Sequence, residues 1–99
     1  MGKSQRDKGY RFENEIRKFL VEKGREAVRV PLSGGDNNFK GDVILKNYFP
    51  EPPYDLVIEC KKRANGFKQI YDWLEGNDAL ILGADRKEPL IVLRLKDWV

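Results

Sequence analysis

Two acidic residues and a lysine at the ends of apolar segments carry the strongest chemical signal in this sequence. Asp42 directly precedes the apolar segment 43–45, and Glu59 directly follows the apolar segment 56–58, with Lys61 two residues further on. Carboxylates of this kind bind divalent cations, and an ammonium group beside them polarises an attacking water or offsets charge on a phosphorane. The pattern therefore predicts metal-assisted phosphodiester cleavage. The alternative is that Asp42 is a turn residue and that the other two are ordinary solvent-facing charges.

Strand periodicity predicts how these residues point. Side chains alternate between the two faces of a strand, so Glu59 and Lys61 should share one face while Cys60 faces the core. The backbone carbonyl of Cys60 then stays available at the strand edge. Together with Asp42 and Glu59 it forms a set of hard oxygen ligands, which suits Mg²⁺ with several retained waters.

The composition is that of a small, mildly basic protein. The chain has 99 residues, 35% charged and 40% hydrophobic, with a net charge of +3 and a pI near 9.0. This predicts a single domain over residues 1–99 and favours a polyanionic partner. The single cysteine excludes an internal disulfide framework and fits a reducing compartment. Because no apolar stretch approaches the roughly 20 residues of a membrane span, and no apolar signal region opens the chain, we expect a cytoplasmic protein without membrane association.

Periodicity and turn residues divide the chain into helices and strands. Apolar residues recur at helical spacing over residues 5–23, and Gly24 is placed to end that helix. Short apolar runs separated by turn residues predict strands, and a second amphipathic pattern ends near Gly76. The expected order is α-β-β-β-α-β-β, an α/β fold with a mixed sheet flanked by helices. The predicted strands cover residues 27–32, 42–46, 56–61, 79–82 and 90–95, and the second helix covers residues 67–74.

Four segments that span nearly the whole chain carry a family pattern: Gly9 with Glu13 on the first helix, RVPLSGG at 29–35, GD at 41–42 and IECKKR at 58–63. With these segments the chain resembles the PD-(D/E)XK nuclease superfamily, and within it the archaeal and phage Holliday junction resolvases. The resemblance implies a restriction-endonuclease-like core. The chain departs from the family pattern at Gly41, which replaces a proline, and in a proline-rich connection between Asp42 and Glu59 that is longer than a tight hairpin.

The resemblance implies an active site that contains a divalent metal. The residues alone leave two interpretations of Glu13: it borders the buried stripe of the first helix and can reach the sheet, or it pairs with Arg17 one helical turn away. The metal expected is Mg²⁺, and Mn²⁺ is expected to substitute. The implied catalytic residues are Glu13, Asp42, Glu59 and Lys61. The implied metal ligands are Asp42, Glu59, the backbone carbonyl of Cys60 and, through water, Glu13.

Basic residues and a glycine-rich segment flank this site. Positive charge there would attract a phosphate backbone that the acidic site repels, and backbone N–H groups of a loop contact phosphate without reading sequence. In the resembled family a serine in this loop assists, which corresponds to Ser33. A solvated charged face and an ordinary turn at Ser33 are the alternatives. The predicted substrate-binding residues are Arg11, Arg29, Ser33, Gly34, Gly35, Lys40, Lys62 and Arg63.

The expected function is Mg²⁺-dependent, structure-selective cleavage of DNA that resolves Holliday (four-way) junctions by paired phosphodiester hydrolysis. Paired nicks need two active sites in fixed relation, so we expect a homodimer on branched DNA, with Trp73, Leu74 and Trp98 as a candidate self-complementary patch. A nuclease of the same fold that acts on flap, single-stranded or duplex DNA is the alternative within this class. A non-catalytic DNA-binding module is the alternative from another class.

Overall fold

The computed structural model describes residues 2–30 and 42–99 of the chain, with side chains described from residue 8. Contacts group the chain into two compact units, Met1–Lys62 and Arg63–Val99. The expectation of one domain over residues 1–99 stays a prediction. The elements in chain order are α1 (Gly2–Glu22), β1 (Ala27–Arg29), β2 (Val43–Leu45), β3 (Leu56–Ile58), α2 (Lys68–Leu74), β4 (Ala79–Leu82), β5 (Leu90–Leu93) and α3 (Leu95–Trp98).

Helix α1 has nearly the predicted bounds, and its apolar stripe turns Leu20 fully inward. The helix ends because Gly24 adopts a φ of 82°, a left-handed conformation that costs glycine little. Two backbone hydrogen bonds close the end: Gly24 N–H donates to the Val21 carbonyl, and Arg25 N–H donates to the Leu20 carbonyl, each at 3.0 Å. This is the Schellman arrangement, and it turns the chain towards β1. Neither α1 nor any other helix in the described ranges is long and apolar enough to cross a membrane.

The first unit contains a three-stranded antiparallel sheet in the order β1-β2-β3. Ala27 pairs with Leu45 in the first ladder, and Val43 pairs with Ile58 in the second. The side chains of Ala27, Val43 and Leu45 are buried together with Leu20 of α1, and they form the small core of this unit. The central strand β2 therefore carries the core, and its first residues are held between two neighbouring strands.

The second unit contains α2, the antiparallel pair β4-β5 and the short helix α3. Leu80 lies opposite Val92 in the ladder, and Leu74 at the end of α2 is buried. The Arg94 guanidinium donates to the carbonyl of Asn77 at 2.8 Å and to the carbonyl of Leu74 at 3.3 Å. These bonds tie the end of α2 to the residue that joins β5 to α3.

The predicted α/β class and the order α-β-β-β-α-β-β are confirmed, with differences in detail. The described strand pairs are all antiparallel and form two sheets, whereas we expected one mixed sheet. The first three strands are shorter than predicted where they are described. The last strand ends at Leu93, and the chain turns into α3 because Asp97 N–H donates to the Arg94 carbonyl at 3.0 Å.

Candidate active site

Asp42 lies directly before β2, where the chain is hydrogen-bonded to the segments on both sides. Its backbone N–H donates to the Ile58 carbonyl at 2.7 Å, and its carbonyl accepts from the Val30 N–H at 3.0 Å. The carboxylate is fixed as well, because Oδ2 accepts a hydrogen bond from the Cys60 backbone N–H at 2.7 Å. Hydrogen bonds to a charged acceptor are short and strong. The sheet therefore holds the carboxylate against the residues that follow β3.

Glu59 and Lys61 lie just after β3, which ends at Ile58, so the prediction that the strand continues to Lys61 is wrong. The strand ends because the next paired N–H, that of Cys60, donates to a carboxylate instead of a strand carbonyl. The argument from alternating faces therefore does not apply to these residues. The two side chains meet all the same: Lys61 Nζ lies 3.1 Å from Glu59 Oε2, with both side chains more than half exposed.

The pKa of the Cys60 thiol indicates that several carboxylates lie near it. Its pKa is raised from 9.0 to about 11, first by burial and then by the negative charges of Asp42, Glu13 and Glu59. The side chain is half-buried in acidic surroundings, which differs from the apolar core position that we predicted. The three predicted acids are thus close enough to act on one side chain. Because the thiol stays protonated at neutral pH, it is not a nucleophile here.

Glu13 faces the sheet and pairs with an arginine that is distant in sequence. Its Oε1 lies 3.2 Å from Nε of Arg29, and the two side chains are only 13% and 17% exposed. Arg17, the candidate partner one helical turn away, instead donates from Nε and Nη2 to Oδ1 of Asn14, at 3.1 and 3.0 Å. The interpretation of Glu13 as one half of a surface pair with Arg17 is therefore wrong.

Arg29 also rests on an aromatic ring. The centre of its guanidinium lies 3.7 Å from the centroid of the Tyr10 ring, within the range of a cation–π interaction. Sequence reasoning missed Tyr10. The signal was present, because Tyr10 lies three residues before Glu13 and so shares its side of α1. Arg29, predicted to bind substrate, is in contact with two residues of α1 in this structure.

A basic groove lies on α1 near the end of β3. Its volume is about 410 Å³. Lys62 Nζ is placed 5.3 Å from the centroid of the Phe12 ring, so an aromatic face fixes one of its charges. Two predicted substrate-binding residues, Arg11 and Lys62, are thereby brought together. The groove is lined by Lys8, Arg11, Phe12, Glu15 and Lys62.

Five predicted substrate-binding residues remain. Arg63 begins the second unit. Ser33, Gly34, Gly35 and Lys40 lie outside the described residues. Their predicted contacts with DNA stay predictions.

The oxygen donors of this site suit the predicted Mg²⁺ ion in their chemistry, although they are not gathered around one point. Among the side chains of residues 8–30 and 42–99, no group of three or more from His, Cys, Asp or Glu is gathered closely enough to hold a metal. The chemistry of the donors fits nevertheless, because Asp42, Glu59 and the Cys60 carbonyl supply hard oxygen atoms at one end of the sheet. Glu13 is held by Arg29 and would have to leave it to join them.

Residues 4–96 of the chain match the family described as "Phage putative PDDEXK endonuclease". The chain belongs to this family. The predicted membership of the PD-(D/E)XK superfamily is thereby confirmed, and the protein is a nuclease domain of that type. Nucleases of this superfamily generally use divalent metals. The narrower resemblance to Holliday junction resolvases stays a prediction. No curated protein and no solved structure matched the chain.

Proposed function

We propose that the protein is a Mg²⁺-dependent, structure-selective endodeoxyribonuclease that resolves four-way DNA junctions by paired phosphodiester hydrolysis. The observation that carries the proposal is the position of Asp42. Its carboxylate is bonded to the Cys60 N–H and so lies beside the segment that contains the Glu59–Lys61 pair. Two carboxylates and an ammonium group at one end of a sheet are parts that phosphodiester hydrolysis needs.

Each residue has a distinct part in the proposed reaction. Asp42, Glu59 and the Cys60 carbonyl would hold the ion, which when bound supplies a Lewis acid for the phosphate and lowers the pKa of water. Glu13 would contact the ion through water. Lys61 orients the attacking water and offsets the negative charge that develops on phosphorus, and its exposure leaves it accessible to a substrate.

The basic groove supports DNA as the substrate. It lies next to the site in the chain, because Lys62 follows Lys61 directly and Phe12 precedes Glu13 directly. Arg11, Lys62 and Lys8 would contact phosphates of the strand that enters the site, and such contacts position the backbone without reading its sequence. Glu15 in the same groove would keep the strand from lying too deep, by charge repulsion.

The resolvase activity requires two such sites. A four-way junction is resolved only when two strands are cut symmetrically, and one site cannot reach both at once. We therefore propose a homodimer on branched DNA in the cytoplasm of the cell.

A cleavage assay on matched substrates tests this proposal. A four-way junction, a flap and a linear duplex of the same sequence are incubated with the protein and Mg²⁺, and the products are mapped on both strands. Symmetric paired nicks confined to the junction are the expected result. Equal cutting of all three substrates would favour a general nuclease of the same fold, and tight binding without cutting would favour a DNA-binding module.

A further inference from the structure

Two carboxylates of the candidate site, those of Glu59 and Glu13, each pair with a cation, and the two ion pairs differ in how exposed they are to solvent. Lys61 pairs with Glu59 in a contact that is more than half exposed, so water and salt screen it. Arg29 pairs with Glu13 in a contact that is mostly buried, with 17% and 13% of the two side chains exposed. The second pair is therefore the stronger barrier to any other cation that would bind near Glu13.

Arg29 is close to the site through the sheet as well as through the ion pair. It lies opposite Val43 in the β1–β2 ladder, and the next residue, Val30, donates its N–H to the Asp42 carbonyl. A guanidinium binds a phosphate at least as readily as a carboxylate, because its planar donors match two oxygens at once. Arg29 can therefore exchange one anion for the other without leaving the neighbourhood of Asp42.

We propose that Arg29 is an exchangeable counter-ion of Glu13. It compensates the carboxylate in the free protein and transfers to a backbone phosphate when DNA binds, which releases Glu13 towards a divalent metal. DNA and metal then bind cooperatively, because each removes an obstacle to the other. The inference rests on the proposed function, since it requires that the site binds both DNA and a divalent ion.

Tyr10 gives Arg29 a second support during this exchange. The ring lies 3.7 Å from the guanidinium, and its cation–π attraction does not depend on Glu13. Arg29 thus keeps a partner on α1 when it leaves the carboxylate. Tyr10 acts through Arg29 and is a positioning residue, whereas its hydroxyl group is not needed for this role.

The experiment uses two readouts that do not depend on cleavage. All variants carry Lys61→Ala, which is expected to slow cutting about a hundredfold, so that the junction stays intact during the binding measurements. The affinity of the free protein for Mn²⁺ is measured from the signal of unbound Mn²⁺ in electron paramagnetic resonance. The affinity for a four-way junction is measured by fluorescence anisotropy with and without Mn²⁺ at constant ionic strength. Arg29→Met is the test variant, and Arg17→Met, which removes an arginine bonded only to Asn14 among the described contacts, is the matched control.

The expected result is an opposite change in two quantities. Arg29→Met should bind Mn²⁺ about fivefold more tightly without DNA, which corresponds to about 1 kcal/mol for losing the competing guanidinium. Mn²⁺ should also tighten junction binding less in Arg29→Met than in the parent, by about the same fivefold factor. The reason is that DNA and metal change each other's affinity by equal factors. Arg17→Met should change neither quantity. Tyr10→Leu should follow Arg29→Met in direction, because without the ring Arg29 is held less firmly beside Glu13 in the free protein, and Tyr10→Phe should match the parent.

Other outcomes overturn the inference. If Arg29→Met binds Mn²⁺ equally or more weakly, or if the gain in junction binding is unaltered, Arg29 is not a competing counter-ion. Thermal unfolding checks that the variants fold. If Arg29→Met does not fold, the same two measurements on Arg29→Gln, Tyr10→Leu and Tyr10→Phe decide between the outcomes. Failure of the proposed function is distinguishable, because the parent and the wild-type protein would then bind no junction or no Mn²⁺.

Discussion

At the scale of single residues, Asp42 has two roles in the candidate site. Asp42 is proposed to bind the metal, and its Oδ2 also accepts the Cys60 N–H at 2.7 Å. The second role is structural, because that N–H donates to the carboxylate and not to a strand carbonyl. A substitution at this position can therefore affect the reaction alone or both the reaction and the fold, depending on whether an acceptor oxygen remains.

Two substitutions of Asp42 separate its proposed role in metal binding from its role as a hydrogen-bond acceptor. Asp42→Asn keeps an oxygen that can accept the Cys60 N–H, so its free energy of unfolding should lie within about 1 kcal/mol of wild type. Asp42→Ala leaves that N–H unsatisfied and should lose about 1–3 kcal/mol more. Urea unfolding followed by far-ultraviolet circular dichroism measures both. Equal stability of the two variants would mean that the hydrogen bond to Cys60 does not contribute.

Lys61 should act on the rate rather than on binding. Its pairing with Glu59 is exposed and contributes little to stability, and its proposed role is strongest in the transition state. Lys61→Ala should therefore reduce kcat on a four-way junction by about a hundredfold while the junction Kd changes less than threefold. Lys62→Ala is the matched control, and it should weaken binding more than it slows cleavage. Wild-type turnover in Lys61→Ala would remove Lys61 from the mechanism.

The sequence could select the candidate acids but not the contacts that hold them. Asp42, Glu59 and Lys61 could be selected because they follow or precede apolar runs, a local pattern. The partner of Glu13 could not be selected in the same way. Local spacing favoured Arg17, whereas the folded chain brings Arg29 to Glu13 across 16 positions. Only the packing of α1 on β1 determines that contact.

At the scale of elements, the helix was more predictable than the strands. Helix α1 has a long apolar stripe and a glycine at its end, so both its period and its end are written in nearby residues. The strands β1, β2 and β3 have three residues each, too few for a period of two to fix their ends. The ends of these strands depend on which backbone N–H groups donate to a carbonyl of a neighbouring strand.

The connection between β2 and β3 is stabilised by Asp55, whose contribution should depend on pH. Its carboxylate accepts from the Asn47 N–H at 3.0 Å and from Lys46 Nζ at 3.0 Å. These bonds, the first more than the second, lower the pKa of Asp55 below its usual 3.8. A lowered pKa in the folded state means that the stabilisation is present above pH 3.8 and is lost as the pH falls through the lower value.

The substitution Asp55→Asn measures this contribution. The Tm of wild type should exceed that of the variant at pH 6, and the difference should shrink as the pH falls from about 4 to 2, because the wild-type carboxyl becomes protonated. Thermal unfolding at a series of pH values follows both proteins. A difference in Tm that stays constant across this range would show that the charge of Asp55 is not what stabilises the connection.

At the scale of the whole molecule, the resolvase proposal requires two copies of the chain. Of the residues suggested for a self-complementary patch, Leu74 is buried within its own unit, whereas the side chain of Trp73 is 52% exposed. Trp73 is therefore the better position for a test. A large exposed aromatic residue is a typical centre of an interface.

We expect the protein to sediment as a dimer near twice 11.5 kDa at micromolar concentration. Trp73→Glu should give a folded monomer that cuts a junction on one strand or not at all, because a charge in an apolar interface is not compensated. Gln69→Glu, an exposed position on the same helix, should remain dimeric and is the control. Wild-type protein that stays monomeric with and without junction DNA would contradict the model of paired nicks.

The central claim is that Asp42 is part of a metal site that cuts DNA, and one cleavage measurement tests it most directly. Single-turnover rates on a labelled four-way junction are compared for wild type, Asp42→Asn and Asp55→Asn, with Mg²⁺ and with a chelator. Wild type and Asp55→Asn should cut at similar rates with Mg²⁺ and should not cut with the chelator. Asp42→Asn should fold but cut about a hundredfold more slowly, or slower still. Cutting by Asp42→Asn at the wild-type rate, or equal cutting by wild type in the chelator, would contradict the claim.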